Sequence, residues 1–222
     1  LIDDFLLIDA PCGIPQVLRR LEFDFQQLSH IVLTHLHGDH VFGLPFLLLE
    51  YMLKPRELSL AIYGPERTQS LVSGLLRFAF PEADQEKLIG GASVTYRLPP
   101  LEKTIALGEY SCQLRRVPHG PVETYGIIIS DHRNMRTVFY APDCEYHRAL
   151  DNTIASVDLA ILDATTFDTP VPGHMSLQQV AEYAHRYPSK RFIATHMSNF
   201  DVPQGWAPPN LMIPIDGDPI VL

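Results

Sequence analysis

No apolar run in the sequence approaches the roughly 18 residues needed to cross a bilayer, so no membrane-spanning helix is expected. Cysteine is scarce. Cys12, Cys112 and Cys144 lie far apart, make an odd number and form no C-x-x-C pair. That excludes a disulfide framework and points to a reducing, cytoplasmic setting. Basic residues are outnumbered, 17 Lys and Arg against 26 Asp and Glu, leaving a formal charge of −9 with histidine neutral. Such a chain lacks the basic surface that non-specific nucleic-acid binding draws on. Low-complexity stretches and long linkers are absent, so residues 1–222 read as a single domain. At 46% hydrophobic residues the chain can bury a core without staples. An initial methionine is missing too. The sequence starts at Leu1 with no charged-then-apolar leader, and it reads as a chain lacking its N-terminal strand or strands.

What is present is an alternation of short apolar runs and one-faced helical patterns, the mark of α/β layering. Phe5–Asp9 reads as a strand. Ile14, Val17, Leu18 and Leu21 fall at i, i+3, i+4 and i+7, a one-faced helix with Pro15 near its start. Ile31–Thr34 reads as a buried strand, Leu44–Leu53 as a buried helix and Leu60–Tyr63 as a strand. A helix with apolar positions 71, 72, 75, 76 and 79 is stopped by Pro81. Glu82–Leu107 reads as a loop and an edge strand. Cys112–Val117 reads as a strand, and Tyr125–Ser130 with Thr137–Tyr140 as a hairpin. Asp158–Asp163 and Arg191–Thr195 read as further strands. Between them, Ser176-x-x-Gln179 fits a capping box before a helix buried through Leu177, Val180, Ala181 and Ala184.

Ten histidines are the unusual count. Three of them fall within His35-Leu36-His37-Gly38-Asp39-His40, at the end of a buried strand. Residues two apart in an extended segment point the same way, so His35 and His37 can share one ion. Asp39 and His40 lie a turn further and can reach a second. Neutral imidazole with a carboxylate suits zinc, manganese or iron, and argues against magnesium and calcium, which take all-oxygen shells. One loop cannot close two metal sites. His119, Asp143 and His196 each follow another apolar run, and sites in α/β proteins gather beyond the carboxyl ends of strands.

On these residues the chain resembles the metallo-β-lactamase-fold hydrolases, whose H-x-H-x-D-H signature stands here as His35 to His40. The resemblance implies an αββα sandwich, two mixed β-sheets packed face to face with helices outside. It implies two divalent transition-metal ions, zinc first. His35, His37 and His119 would hold one, Asp39, His40 and His196 the other, and Asp143 would bridge them. Thr34–Gly43, Ala164–Phe167, Gly173–Ser176 and Thr195–Ser198 are similar to the RNase Z branch, the tRNA 3′-processing endonucleases. Those nucleases carry an RNA-grasping arm where this chain has only the short turn Ser130–Arg136. The armless layout and the Gly64-Pro65 turn look more like the small phosphodiesterases of the branch, such as the cyclic phosphodiesterase of bacterial phosphonate breakdown.

The reaction so implied is hydrolysis of a small or nucleotide-like phosphodiester by a metal-bridging hydroxide. Asp39 would orient that hydroxide and take its proton, and His174 would face the substrate as hydrogen-bond donor or general acid. Alternatives are an RNase Z-type endonuclease on RNA, or a lactonase, β-lactamase, thioesterase or sulfatase of the same fold. Relatives often form homodimers, so a dimer is expected. A di-iron redox protein fits less well because His37 stands where that class carries a carboxylate. His30, His132, His147 and His185 read as ordinary side chains. Cys144 reads as a small buried residue rather than a ligand, and Asp163 as either a partner of a ligand histidine or a loop cap. Tyr125 and Phe167 read as core packing rather than the lining of a pocket for a base or aryl group, and Trp206 as a substrate wall or a subunit contact.

Overall fold

In the computed structural model, which describes residues 1–54, 59–84, 87, 93–98, 101–215, 217 and 220, the chain divides into two units, Leu1–Pro99 and Pro100–Leu222. The first is built from β1 (Leu6–Ile8), α1 (Ile14–Arg20), β2 (His30–Val32), α2 (Gly38–Val41), α3 (Leu44–Leu53), β3 (Leu60–Tyr63), α4 (Thr68–Ala79) and β4 (Val94–Arg97). Its strands pair in the order β1-β2-β3-β4, every pair parallel. Parallel neighbours need a crossover, and the helices α1, α3 and α4 supply it. Strands covered on both faces read as continuous apolar runs, and β3, Leu-Ala-Ile-Tyr, is buried at all four positions.

Helix α3 opens with Pro45 in its first turn and buries Leu44, Leu47, Leu48 and Tyr51, one stripe at i, i+3, i+4 and i+7. These side chains join Leu7, Leu18, Ile31, Leu33, Ile62, Val72 and Leu76 in the core of the unit. The expected strand Ile31–Thr34 ends at Val32. The Thr34 N–H and hydroxyl go to the Asp9 carboxylate, 2.8 and 2.9 Å away, instead of to a strand partner.

The second unit follows with β5 (Thr104–Leu107), β6 (Tyr110–Arg116), β7 (Tyr125–Asp131), β8 (Arg136–Ala141), α5 (Ala149–Ser156), β9 (Leu159–Asp163), α6 (Leu177–Arg186), β10 (Arg191–Thr195) and β11 (Leu211–Met212). Its sheet runs β11-β10-β9-β8-β7-β6-β5. Strands β8 to β11 pair in parallel and β5 to β8 antiparallel. Mixed pairing was expected of both sheets; this one mixes, and the described strands of the first are parallel throughout. The β7–β8 hairpin closes over residues 132–135, with Arg133 paired to Asp131 at 2.8 Å.

Helix α6 starts as its capping box requires. Ser176 Oγ accepts the Gln179 N–H at 3.3 Å, and Gln179 Oε1 accepts the Ser176 N–H at 3.0 Å. At its other end the Asn210 amide donates to the carbonyls of Ala184 and Lys190. The apolar side of α6 packs with Leu150 and Ile154 of α5 and with Phe139, Ala160, Leu162, Phe192 and Ala194 of the sheet.

The stretch expected to hold one edge strand holds two, β4 at the edge of the first sheet and β5 at the edge of the second. Residues 85, 86, 88–92, 99 and 100 of that stretch lie outside the described residues, as does Asp216 near the C-terminus. No helix among the described residues is long and apolar enough to cross a membrane.

Candidate metal centre

Both units gather imidazoles and carboxylates beyond the carboxyl ends of strands. In the first unit the chain leaves β2 extended, and His37 stands at φ −69°, ψ 152° as the residue before α2. The rings of His35 and His37 therefore meet edge-on, 4.7 Å apart between centroids. Asp39 and His40 fall in the first turn of α2, with His40 Nε2 3.5 Å from Asp39 Oδ2. The His35 and His40 rings lie 4.1 Å apart. This is the arrangement that the i, i+2 spacing and the following turn predict.

Asp9, at the end of β1, holds the cluster from behind. His40 Nδ1 donates to its Oδ2 at 2.8 Å. His35 Nδ1 donates to Thr34 Oγ1 at 3.1 Å, and that hydroxyl passes its own proton to Asp9 Oδ2. Asp9 is almost fully buried and sits at φ +56°, left-handed backbone that Asp tolerates better than most residues. A further clamp is Gly43. Its N–H donates to Ala10 O, and the Ala10 N–H donates to His40 O. A Cβ at Gly43 would stand 2.2 Å from Pro11 O, so only glycine allows this approach.

In the second unit three imidazoles surround Asp143. Its carboxylate lies 3.3 Å from His196 Nε2, 3.7 Å from His119 Nε2 and 4.0 Å from His174 Nε2. His174 stacks parallel to His196 at 5.3 Å and meets His119 edge-on at 5.0 Å. Asp163, fully buried at the end of β9, anchors the group. Its Oδ2 accepts His174 Nδ1–H at 2.9 Å and the Cys144 N–H at 3.0 Å. Its Oδ1 accepts the Thr165 N–H and hydroxyl, and Thr165 Oγ1 accepts His196 Nδ1–H at 2.8 Å. His119 Nδ1 donates to Gly173 O at 2.8 Å. Asp163 thus does both things expected of it, orienting site histidines and capping the loops at Cys144 and Thr165.

These bonds fix tautomers. A carboxylate and a carbonyl can only accept, so His40, His119 and His174 must carry their proton on Nδ1. The hydroxyls of Thr34 and Thr165 are spent as donors to Asp9 and Asp163, so His35 and His196 donate to them in the same sense. In each neutral ring the lone pair then sits on Nε2. That pattern, Nδ1–H held by a carboxylate, carbonyl or hydroxyl with Nε2 presented forward, is how proteins prepare histidine to bind a metal. The donor set of imidazole nitrogen and carboxylate oxygen fits zinc, manganese or iron.

Within each unit the structure brings together every residue expected there: His35, His37, Asp39 and His40 in one, His119, Asp143, His174 and His196 in the other. Pattern reading missed Asp9, Thr34, Thr165 and Gly173. Asp9 had a signal, a carboxylate closing a buried strand like Asp163; Thr34, Thr165 and Gly173 lie in the segments similar to the RNase Z branch, but no spacing pointed to their roles. Cys144 is fully buried and donates its thiol proton to Glu145 O at 3.3 Å. Burial, reinforced by the Asp163, Glu145 and Asp143 carboxylates, pushes its pKa up, opposite to what a thiolate ligand needs.

The remaining histidines are ordinary. His30 Nδ1 bonds Ser29 Oγ, His147 Nδ1 accepts the Ala149 N–H, His185 Nδ1 donates to Ala181 O, and His132 is exposed. Tyr125 is core, its hydroxyl donating to Glu123 at 2.5 Å. Phe167, Phe200 and Trp206 form a half-buried aromatic group on the loops after β9 and β10. Ser198 joins those two loops by donating its N–H to Thr165 O at 3.1 Å.

The family model of the beta-lactamase superfamily domain matches residues 5–197, across both units. The chain belongs to the beta-lactamase superfamily. Membership makes it a metal-dependent hydrolase with the metallo-β-lactamase αββα fold. A ribonuclease Z of Porphyromonas gingivalis is 24% identical over 246 residues, covering 88% of this chain and 80% of the relative. Among solved superfamily structures, a diphosphatase from the PhnP family aligns over 98% of this chain and 79% of its own, with TM-score 0.76 and 21% identity. The short form of human tRNase Z aligns over 98% and 88%, with TM-score 0.73 and 20% identity.

Proposed function

We propose that the chain is a dinuclear metal-dependent phosphodiesterase acting on a small or nucleotide-like phosphodiester. His35, His37 and His119 would hold one divalent ion and Asp39, His40 and His196 the other, with Asp143 as a ligand to both. Zinc is the first choice of metal, with manganese or iron as alternatives. The observation that carries this reading is the set of fixed tautomers. Four of the proposed ligand imidazoles, two in each of two separate clusters, have Nδ1–H tied down and the Nε2 lone pair presented. A histidine that merely fills a core has no need of that order. Phosphodiester chemistry is supported by the ribonuclease Z relative and by the short 132–135 turn, which leaves no arm to grasp a tRNA.

Bound ions supply Lewis acidity toward phosphoryl oxygens and acidify a water near neutral pH. The rest falls to the side chains. Asp39, whose carboxylate is 59% exposed, orients the attacking water and takes its proton. His174 presents Nε2 to the substrate while Asp163 grips Nδ1. A carboxylate there steadies the ring when it is protonated, which suits it to hand a proton to the leaving oxygen. The three free cysteines suit a reducing compartment such as the cytoplasm.

The ribonuclease Z relative favours a second reading, an endonuclease that borrows RNA-binding surface from a partner or a second copy. One panel separates the readings. Metal-loaded protein is given bis-p-nitrophenyl phosphate, a 2′,3′-cyclic nucleotide, a pre-tRNA, a homoserine lactone and nitrocefin, and its metal content is measured by elemental analysis. Cleavage of the small diesters with two ions per chain is expected. Pre-tRNA cleavage without small-diester turnover favours the second reading, and lactone or nitrocefin turnover alone overturns both.

A further inference from the structure

We propose that Glu145 is a positioning residue for His119, fixing that ring's orientation and tautomer; as a contribution to metal binding the assignment rests on the reading above. Glu145 grips the surroundings of His119 in two places. Its backbone N–H donates to Pro118 O at 2.7 Å, directly before His119. Its side-chain Oε1 accepts the Gly173 N–H at 3.0 Å. Gly173 in turn offers its carbonyl to His119 Nδ1 at 2.8 Å. The peptide groups on either side of the Gly173 Cα are thus both engaged, one by Glu145 and the other by the imidazole.

The geometry around Gly173 explains why a brace is needed. Its backbone stands at φ +89°, and a Cβ there would lie 2.8 Å from His119 Nδ1, so the chain must pass the ring closely as glycine. The residues just before it, 168–172, are exposed and offer little packing to hold the loop down. Glu145 is half-buried, and its Oε1 is given to this N–H. With the brace gone, the loop can relax, the acceptor for His119 Nδ1–H drifts, and the ring loses the bond that keeps its lone pair on Nε2.

Two variants isolate the acceptor. Glu145→Gln keeps an acceptor oxygen on a side chain of the same length. Glu145→Met keeps the length and removes the acceptor, with Glu145→Ala in reserve should Met fail to fold, as judged by circular dichroism. In metal-free protein labelled with ¹⁵N, the His119 ring nitrogens report the tautomer directly. The wild type and Glu145→Gln should show an Nδ1–H ring, and Glu145→Met a mixture. In a competition titration with zinc and a chromophoric chelator, Glu145→Met should weaken one of the two sites by about 10- to 100-fold and leave the other unchanged. Glu145→Gln should stay within a few-fold of wild type. A Glu145→Met protein with the wild-type ring signals and wild-type zinc affinity overturns the assignment. If the wild type itself takes up no zinc, the metal-site reading fails, and the ring signals alone decide whether Glu145 holds His119.

Discussion

His196 donates its Nδ1–H to the Thr165 hydroxyl at 2.8 Å, and Thr165 passes its own proton to the buried Asp163. The same three-part relay recurs in the other unit, from His35 through Thr34 to Asp9. In both, the anchoring carboxylate also takes the Nδ1–H of a second histidine, His174 in one and His40 in the other. Each unit thus uses one carboxylate at a strand end to orient two imidazoles, directly and through a threonine.

Thr165→Val tests the relay, because valine keeps the shape and loses the hydroxyl. His196 then loses the Thr165 hydroxyl as acceptor for Nδ1–H, and Asp163 Oδ1 keeps the backbone N–H of residue 165 while its Oδ2 keeps His174 Nδ1–H and the Cys144 N–H. Metal affinity should fall by about 10- to 100-fold. The urea stability of the metal-free protein should fall by roughly 1–3 kcal/mol, the cost of a stranded polar group. Thr165→Ser should restore most of both. A Thr165→Val protein with unchanged zinc affinity would show that the hydroxyl has no part in holding His196.

Gly43 locks α2 against the loop after β1, and its substitution should be costly where another glycine's is not. An added Cβ would press to 2.2 Å from Pro11 O and 2.8 Å from Ala10 O, both backbone atoms that cannot swing aside. Gly43→Ala should lower stability by about 1–3 kcal/mol, read from the urea midpoint. Gly74 lies inside α4 with nothing within 4 Å of its would-be Cβ. Gly74→Ala should raise stability by roughly 0.5–1 kcal/mol, since alanine loses less entropy in a helix. Equal effects at the two positions would contradict the close approach.

What could be read from sequence was local. Helix α3, strand β3, strand β10 and the Ser176 capping box lie where their patterns put them, because periodicity and capping act over a few residues. Helix α5 carried no such mark. Asn152, Thr153 and Ser156 are poor helix formers, and the segment is held by Leu150 and Ile154 packing into the core. At the site, the close spacing of His35 to His40 was visible, while the parts that orient these rings were not. Thr34 meets Asp9 across 25 residues, and His119 meets Gly173 across 54. Contacts made across such separations leave no spacing in the chain to read.

Acid should weaken the protein partly through Asp158, at the junction of β8 and β9. The backbone N–H of Thr137, at 2.8 Å, holds the carboxyl pKa below its ordinary value, helped by the Thr137 hydroxyl and by Arg136. A depressed folded pKa contributes stability above the unfolded carboxyl pKa of about 3.9, and that contribution is lost as pH falls through the lower folded value. Urea midpoints measured from pH 6 downward should therefore drop more steeply for wild type than for Asp158→Asn below about pH 4. Parallel curves would show that Asp158 is not a source of the acid sensitivity.

His174 is the residue whose role geometry alone divides least cleanly from that of a ligand. It faces Asp143 as His119 and His196 do, but its Nε2 is the farthest of the three, at 4.0 Å. Its Nδ1 is bonded directly to Asp163, so the carboxylate that orients it can also balance a positive charge on the ring. His40 has the same direct bond, to Asp9, so it is the longer distance from Asp143, together with the capacity to carry a balanced charge, that sets His174 apart. His174→Ala should therefore retain both ions by elemental analysis while kcat on a 2′,3′-cyclic nucleotide, whose leaving alkoxide is strongly basic, falls by about 10²- to 10⁴-fold. The loss should be smaller for a diester with a better leaving group, because a weakly basic leaving oxygen needs no proton. Loss of one ion with the imidazole would move His174 into the ligand set and leave the acid to be found elsewhere. An equal loss on good and poor leaving groups would mean that His174 stabilises the phosphoryl oxygens rather than protonating the departing one.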